Sequence, residues 1–190
     1  MLKDLVLKNR SYRRFWQSER ISTAQLRDWI DLTRNSASAR NAQSLKYILS
    51  TDESFNAKIF EQLAWAGYLT TWKGPEEGER PSAYIVILHD TLIPGNYLCD
   101  DGIASQSILL GAVETGFGGC IIHSVNRNKL RELLNLSEQF EILYVLALGK
   151  PKETVVLEEM KDGDVKYWRD ENHVHHVPKR ALDEIILEVR

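Results

Sequence analysis

The fold is decided by residues 101–124, which read DGIASQSILLGAVETGFGGCIIHS. The stretch Gly102–Glu114 is apolar on nearly every face, a pattern typical of a helix that protein surrounds on all sides. The glycine-rich turn at 116–119 allows positive φ angles and close backbone approach, so it predicts the end of that helix. The β-branched residues that follow, from Ile121, predict a short buried strand. The segment therefore predicts a central buried helix that leads directly into a sheet.

Other apolar runs predict the rest of the sheet. Tyr84–Leu88 and Ile142–Leu148 are short and rich in β-branched residues, as buried strands are, and Tyr47–Ser50 predicts another strand. Helical spacing and capping signals predict helices at residues 1–8, 22–34, 54–69 and 178–189. The charged, turn-rich segment 73–81 predicts a mobile surface loop. We therefore expect one α+β domain that spans residues 1–190.

Composition excludes some classes of function. The 190 residues carry 24 basic and 27 acidic side chains, for a formal net charge of -3, so the chain lacks the positive field that gathers nucleic acid or anionic lipid. Cys99 and Cys120 have neither metal-ligand nor CxxC spacing, and we expect two reduced thiols. The first residues lack the features of a signal peptide, and we expect a cytoplasmic protein without nucleic-acid or membrane partners.

The first candidate site is a basic cluster near the N-terminus. Arg10, Ser11, Arg13 and Arg14 place three guanidinium groups and a hydroxyl within five residues. Such a cluster can hold a phosphate through bidentate, charge-assisted hydrogen bonds. The alternative is a solvated basic turn with carboxylate neighbours, and the cluster alone does not decide between the two.

The second candidate site is the segment 36–44, SASARNAQS. Its small residues leave room for a flat ligand, while Ser38, Asn41 and Gln43 offer neutral donors and acceptors that suit the edge of a heteroaromatic ring. The alternative is an ordinary polar loop between a helix and a strand.

Two histidine-containing segments complete the candidates. The turn into Ile121, Ile122 and His123 lacks GxGxxG spacing, so it does not predict a dinucleotide fingerprint. The sequence HVHH at 173–176 lacks the spaced partners of a usual metal site, and we expect no metal. Lys179 and Arg180 offer a second basic contribution to a phosphate, or are simply exposed.

Taken in order, these segments resemble the FMN-dependent nitroreductase family over nearly the whole chain. Residues 9–15, NRSYRRF, are similar to its opening Arg-Arg-Ser-x-Arg-x-x-Phe run, with asparagine at the first position. Residues 37–45, ASARNAQSL, keep the serine, asparagine and glutamine of its Pro-Ser-x-x-Asn-x-Gln-Pro-Trp signature and lack the prolines and tryptophan. The buried helix with its Gly-x-Gly turn and the closing segment from Pro178 also resemble the family.

The resemblance implies a central mixed, mainly antiparallel sheet flanked by helices, with FMN at the interface of a homodimer. It implies that the FMN phosphate and ribityl chain are held by Arg10, Ser11 and Arg13 with Lys179 or Arg180. Ser38 and Asn41 would line the flavin, and Ile121, Ile122 and His123 would pass its N5 edge. The implied enzyme reduces a small electron-poor acceptor (nitroaromatic, quinone or enone) with NADH or NADPH by a ping-pong mechanism, and no residue is predicted to be catalytic because the flavin carries the chemistry.

Three alternatives remain open from the sequence. The same fold can serve a dehalogenase, an alkene reductase or an oxidase. The chain can also bind flavin or sense redox state without fast turnover, or be a homologue that binds no flavin. Trp65, Tyr68 and Trp72 are candidate stacking walls for the acceptor, with aromatic core packing as the alternative.

Overall fold

The computed structural model describes all 190 residues. The helices are α1 (Leu2–Lys8), α2 (Thr23–Arg34), α3 (Glu53–Phe60), α4 (Asp100–Glu114), α5 (Arg127–Leu134) and α6 (Leu182–Ile185). The strands are β1 (Phe15–Trp16), β2 (Leu45–Ser50), β3 (Ala83–Asp90), β4 (Gly118–Ile122), β5 (Phe140–Pro151), β6 (Val155–Glu159), β7 (Trp168–Arg169) and β8 (His175–Lys179). The predicted first helix, the helix capped by Ser22 and the buried central helix are confirmed as α1, α2 and α4.

The predicted strands share one sheet, as expected. β3 lies between β2 and β5, and the long β5 pairs on its other edge with β4 and then with β1. Every pairing in this sheet is antiparallel. The parallel pairing lies in a second, three-stranded sheet, where β8 runs between β6 and β7 and is parallel to β6.

The core has two halves, one on each face of the main sheet. Because side chains alternate along a strand, residues such as Ile85 and Leu146 face α2 and α4, whereas Val86 and Ala147 face α3 and α5. Both halves consist mainly of apolar side chains, and in the half that faces α2 and α4 the buried hydroxyl groups of Ser105 and Tyr144 bond to each other at 2.8 Å. The central helix α4 is therefore enclosed between the sheet and α2, which explains why its sequence is apolar on nearly every face.

The turn from α4 into β4 also fixes the N-terminal loop. Gly116 has φ 80°, which a residue with a side chain rarely adopts. At Gly119 a Cβ atom would collide with the backbone oxygen of Ala147 in β5. The same glycine forms a bridge with Ser11, and its carbonyl accepts a hydrogen bond from the backbone N–H of Tyr12 at 3.1 Å. The absence of a side chain at Gly119 thus lets β4 lie close to β5 while its backbone holds the basic loop.

Two predicted helices were wrong in extent. The helix predicted for 54–69 ends at Phe60, because the following backbone pairs with the segment after β4: the N–H of Ala64 donates to the oxygen of Ser124. The helix predicted from Pro178 begins only at Leu182 and has four residues, because Pro178 and Lys179 belong to strand β8. Proline is tolerated there because β7 pairs only as far as His176, which leaves one edge of β8 free of ladder hydrogen bonds.

The charged segment 73–81 is tied to the fold at its C-terminal end, in contrast to the mobile loop that we expected. The side-chain oxygen of Gln17 accepts hydrogen bonds from the backbone N–H groups of Gly78 and Arg80. The carboxylate of Glu79 forms a bidentate ion pair with Arg14, in which both N–O distances are 2.6 Å. It forms a second ion pair with Lys152 at 2.8 Å. These contacts fasten the segment to the N-terminal loop and to the end of β5.

We expect the Glu79 cluster to make stability depend on pH in the acid range. Its hydrogen bonds with Arg14, assisted by Lys152, lower the pKa of Glu79 from 4.5 to about 2. A carboxylate with a depressed pKa stabilises the fold above its unfolded pKa, and this contribution is lost as the pH falls from about 4.5 towards 2. Glu79→Gln should therefore lower the free energy of unfolding by up to about 3 kcal/mol at pH 7. Urea unfolding at pH 7, 4 and 3 checks this, and a difference between wild type and variant that does not shrink with acid would contradict it.

None of the helices combines the length and the hydropathy that crossing a bilayer requires.

Candidate functional site

A cleft of about 330 Å³ lies between the N-terminal loop, α4, β4 and the small sheet. It brings together five of the ten residues that the sequence predicted for the site: Arg10, Ser11, Arg13, Ile121 and Lys179. These residues come from three distant parts of the chain. They meet because the loop after α1 is held against Gly119 and because β8 ends beside that loop.

The cleft is cationic. Arg10, Arg13 and Lys179 line it, and no acidic side chain does. The Nη2 atom of Arg10 donates to the backbone oxygen of Val6 at 2.7 Å, while its Nε is buried without a hydrogen-bond partner. Three positive charges without a lining carboxylate make a site that favours an anion.

The guanidinium of Arg13 contacts only uncharged groups. Its Nη1 donates to the backbone oxygen of Ser11 at 3.1 Å and to Nε2 of His175 at 3.3 Å, and its carbon lies 4.8 Å from the ring centre of Tyr167. The neighbouring Arg14, in contrast, is neutralised by Glu79. The alternative of a basic turn with carboxylate neighbours therefore describes the guanidinium of Arg14, and does not describe the guanidinium groups of Arg10 or Arg13.

Glu153, which the sequence analysis did not single out, holds the basic loop from behind. Its carboxylate accepts hydrogen bonds from the backbone N–H groups of Arg13 and Arg14, and it forms an ion pair with Arg169 at 2.9 Å. The carboxylate side chain is completely buried. It directs the backbone of Arg13 without entering the cleft. Nothing in the local sequence could have indicated this, since the partners lie about 140 residues away.

His175 and Tyr167 also line the cleft and were not predicted as site residues. His175 is 1% exposed, and its ring lies 5.1 Å from that of Tyr167. Burial, with the positive charges of Arg13 and Arg169, lowers the pKa of His175 to about 4. The ring is therefore neutral at physiological pH. No sequence pattern indicated this role. Only the structure shows that residues 175–179 form a strand, which places His175 and His176 on opposite faces.

A smaller cavity of about 140 Å³ adjoins the cleft, and Arg13, Ile121 and Tyr167 line both. The other two predicted residues of this segment, Ile122 and His123, line the smaller cavity. Ile122 packs mainly into the core, whereas Ile121 is 41% exposed. The end of β4 thus offers an apolar surface directly beside the cationic cleft.

The aromatic residues ahead of the charged segment divide between core and cleft. Trp65 is buried in the core and also lines the smaller cavity. Tyr68 is half exposed, and its ring lies 4.9 Å from that of Tyr167, which lines the cleft. Trp72 packs against the core and carries the guanidinium of Arg169 over its ring at 4.6 Å.

Ser38 and Asn41 lie apart from the cationic cleft. Ser38 lines a different pocket of about 260 Å³ formed by α2, the loop that follows it and the start of α4. Its hydroxyl donates to the buried carboxylate of Asp100 at 2.6 Å and accepts from the backbone of Gln43 at 2.9 Å. Asn41 is exposed with φ 53°, and Arg40 and Gln43 also have positive φ. Such backbone strain concentrates at functional sites.

Arg180 also lies outside the cleft, where it pairs with Glu184 at 3.3 Å on the surface. Of the two basic residues that were alternatives for the phosphate, the structure therefore places Lys179 in the cleft.

Comparison with known proteins gives one family. Residues 98–150 match the model of the Nitroreductase family, which covers α4, β4, α5 and nearly all of β5. No curated protein matches the sequence significantly.

Solved structures resemble the fold over most of the chain. A nitroreductase family protein of Streptococcus pneumoniae TIGR4 superposes with a TM-score of 0.69 over 100% of both chains at 16% identity. A nitroreductase family protein of Clostridium novyi NT gives 0.66 over 98% of this chain and 99% of its own, at 21% identity. A protein of Parabacteroides distasonis ATCC 8503, provisionally assigned as an NADH dehydrogenase/NAD(P)H nitroreductase, gives 0.65 over 85% and 92%, at 21% identity. The chain therefore has the nitroreductase fold, and its resemblance to the nitroreductase family is confirmed.

Proposed function

We propose that the chain is an FMN-dependent oxidoreductase that works as a homodimer. This proposal depends on the cationic cleft, which no acidic side chain lines. In it, Arg10, Arg13 and Lys179 surround a space next to the glycine turn of the nitroreductase fold. A phosphate monoester is a dianion with several acceptor oxygens, so guanidinium and ammonium donors complement it in charge and in hydrogen bonding.

The donor set of the cleft fits the phosphate end of FMN. The buried Nε of Arg10 lacks a partner, and a bound phosphate beside it would give it an acceptor. Ser11 supplies a hydroxyl at the same place. Ile121 and the aromatic ring of Tyr167 continue the surface into the smaller cavity, where a flat ring can pack on apolar atoms. The two adjoining cavities together offer a cationic end and a second end lined by Ile121, Ile122 and Tyr167, which agrees with a ligand that carries its phosphate and its ring at opposite ends.

When bound, FMN would carry two electrons from NADH or NADPH to a small electron-poor acceptor such as a quinone or a nitroaromatic in a ping-pong cycle. The protein's part is to bind and orient it. The three cations would hold the phosphate, Glu153 and His175 hold Arg13 in place, and Tyr167, whose ring packs against that of Tyr68, would contact the ligand from one side of the cleft. The Parabacteroides distasonis neighbour, whose provisional assignment includes NAD(P)H, supports the choice of electron donor.

Two observations support a homodimer. Ser38 and Asn41 lie outside the cationic cleft of their own chain, so they can line the flavin only if a second copy brings its loop to the first. The two ends of the chain also expose apolar side chains in a single copy: Leu2 is 67% exposed in α1, and Leu187 is 99% exposed after α6. Exposed apolar surface of this kind is typical of a protein interface.

The test is a visible spectrum of the purified protein after addition of FMN, followed by anaerobic NADH or NADPH. We expect bound-flavin absorption, bleaching by one of the two nicotinamides, and recovery of the colour when a quinone or nitro compound is added. Sedimentation should give twice the chain mass of 21.8 kDa. Bleaching followed by recovery with oxygen alone would instead indicate an oxidase. Bound flavin that neither nicotinamide reduces would indicate a flavin-binding or redox-sensing protein, and FMN that changes neither spectrum nor melting temperature would refute flavin binding.

A further inference from the structure

His175 and His176 are adjacent in β8 and serve different surroundings. The imidazole of His176 pairs with Glu158 at 2.7 Å and stacks on Trp168, on the outer face of the small sheet. His175 faces inwards, is 1% exposed and lines the cationic cleft. Its one side-chain hydrogen bond joins Nε2 to Nη1 of Arg13 at 3.3 Å.

The direction of this hydrogen bond is fixed by chemistry. A guanidinium group has only donors, so Nε2 of His175 must be the acceptor and must carry no proton. The ring is accordingly neutral, in agreement with its pKa of about 4, and its proton is on Nδ1. His175 thus gives Arg13 an uncharged acceptor.

Two arginines next to this site that do not line the cleft are held by carboxylates. Arg14 is paired with Glu79 and Arg169 with Glu153. A carboxylate orients a guanidinium and at the same time offsets its charge, so neither guanidinium is free to pair fully with an anion. Arg13 is oriented by the imidazole, by a backbone carbonyl and by the face of Tyr167. It therefore keeps its full positive charge.

We propose that His175 is a positioning residue for anion binding, which orients the guanidinium of Arg13 towards the cleft through a neutral acceptor and leaves its charge available to the ligand. This proposal rests on the proposed function, because the ligand it would serve is the FMN phosphate. It predicts that two properties of residue 175 matter, the presence of an acceptor and the absence of a negative charge.

Three substitutions separate these properties. His175→Leu removes the acceptor, and we expect FMN affinity to fall by about tenfold, as for loss of a hydrogen bond to a charged group. His175→Glu keeps an acceptor but brings a charge that pairs with Arg13, and we expect a loss of at least about tenfold. His175→Gln keeps a neutral acceptor and should recover most of the affinity lost in His175→Leu. His173→Asn, in an exposed turn, is the matched histidine control.

Affinity is measured by quenching of flavin fluorescence, with circular dichroism to confirm the fold of each variant. The decisive comparison repeats His175→Leu in an Arg13→Ala background, where it should have no further effect on affinity, because its only route to the ligand is lost. An equal loss in both backgrounds, or equal losses for the Leu and Gln variants, would overturn the proposal. If His175→Leu does not fold, the contrast between Gln and Glu carries the test, and equal affinities in those two would overturn it.

A second probe separates this proposal from the proposed function. Inorganic phosphate should raise the melting temperature of the wild type, and the rise should be smaller in His175→Leu and His175→Glu than in His175→Gln. If FMN does not bind to any form but phosphate shows this order, the FMN assignment fails and the role of His175 stands. If FMN binds but the variants do not follow this order with either FMN or phosphate, the proposed role of His175 is refuted and the FMN assignment stands.

Discussion

Replacing Arg13 with alanine is expected to weaken FMN binding by about 10- to 150-fold, which corresponds to the roughly 1.5–3 kcal/mol of a hydrogen bond to a charged group. Arg13 lines both connected cavities, and its charge is not cancelled by a carboxylate. Its loss would remove one of three cations from the phosphate end of the cleft and would leave a void beside Tyr167. Titration of the apoprotein with FMN, followed by flavin fluorescence, measures the change.

Arg14→Ala is the matched control, because it removes the same charge one residue further along. Its guanidinium is bound by Glu79, so this variant should lose stability while its affinity for FMN stays within about threefold of the wild type. The difference between the two should narrow at high salt, since the contribution of Arg13 is largely electrostatic. Equal effects of the two substitutions would show that the N-terminal cluster acts only through its overall charge, and would remove Arg13 from the site.

The second large effect is expected on stability, from Glu153→Gln. The carboxylate of Glu153 is the only acidic partner of the buried Arg169, and it also accepts two backbone N–H groups of the basic loop. The amide leaves the guanidinium without a counter-charge and places an NH2 group against either the guanidinium or the two backbone N–H donors. We expect the free energy of unfolding to fall by about 3–5 kcal/mol, the range for breaking one side of a buried ion pair. Urea unfolding monitored by circular dichroism measures this.

The control for this variant is Glu53→Gln, whose carboxylate pairs with Arg20 at the surface, with both side chains about half exposed. Its effect should stay below about 1 kcal/mol. A Glu153→Gln variant as stable as this control would mean that the buried pair does not hold the loop. The FMN affinity of Glu153→Gln is a second measurement. We expect it to fall, because a loosened loop should also release Arg13 from the cleft.

The elements that the sequence predicted well depend on local patterns. The buried helix α4 follows from a segment that is apolar on every face, and α2 from the capping box of Ser22 and Gln25, which the structure shows as reciprocal hydrogen bonds. The buried strands follow from β-branched runs. The final helix was predicted to begin too early, at Pro178, and to be too long. Its signals, a proline and an apolar stripe, are local, whereas residues 175–179 pair in parallel with β6, which lies about 20 residues earlier in the chain.

The residues of the candidate site were likewise predictable only as far as their local chemistry allowed. By itself, the sequence determined which residue types are present for an anion, namely the arginines and serine at 10–13 and Lys179, because charge and hydrogen-bonding capacity belong to the side chain. Only the tertiary structure decided which of these charges are free. Arg14 forms an ion pair with Glu79, and Arg180 forms one with Glu184. Arg13 instead bonds to the neutral His175, so no carboxylate offsets the charge of its guanidinium. The physical reason is that the charge a ligand meets depends on the partners of a group in space, and those partners lie up to about 160 residues away along the chain.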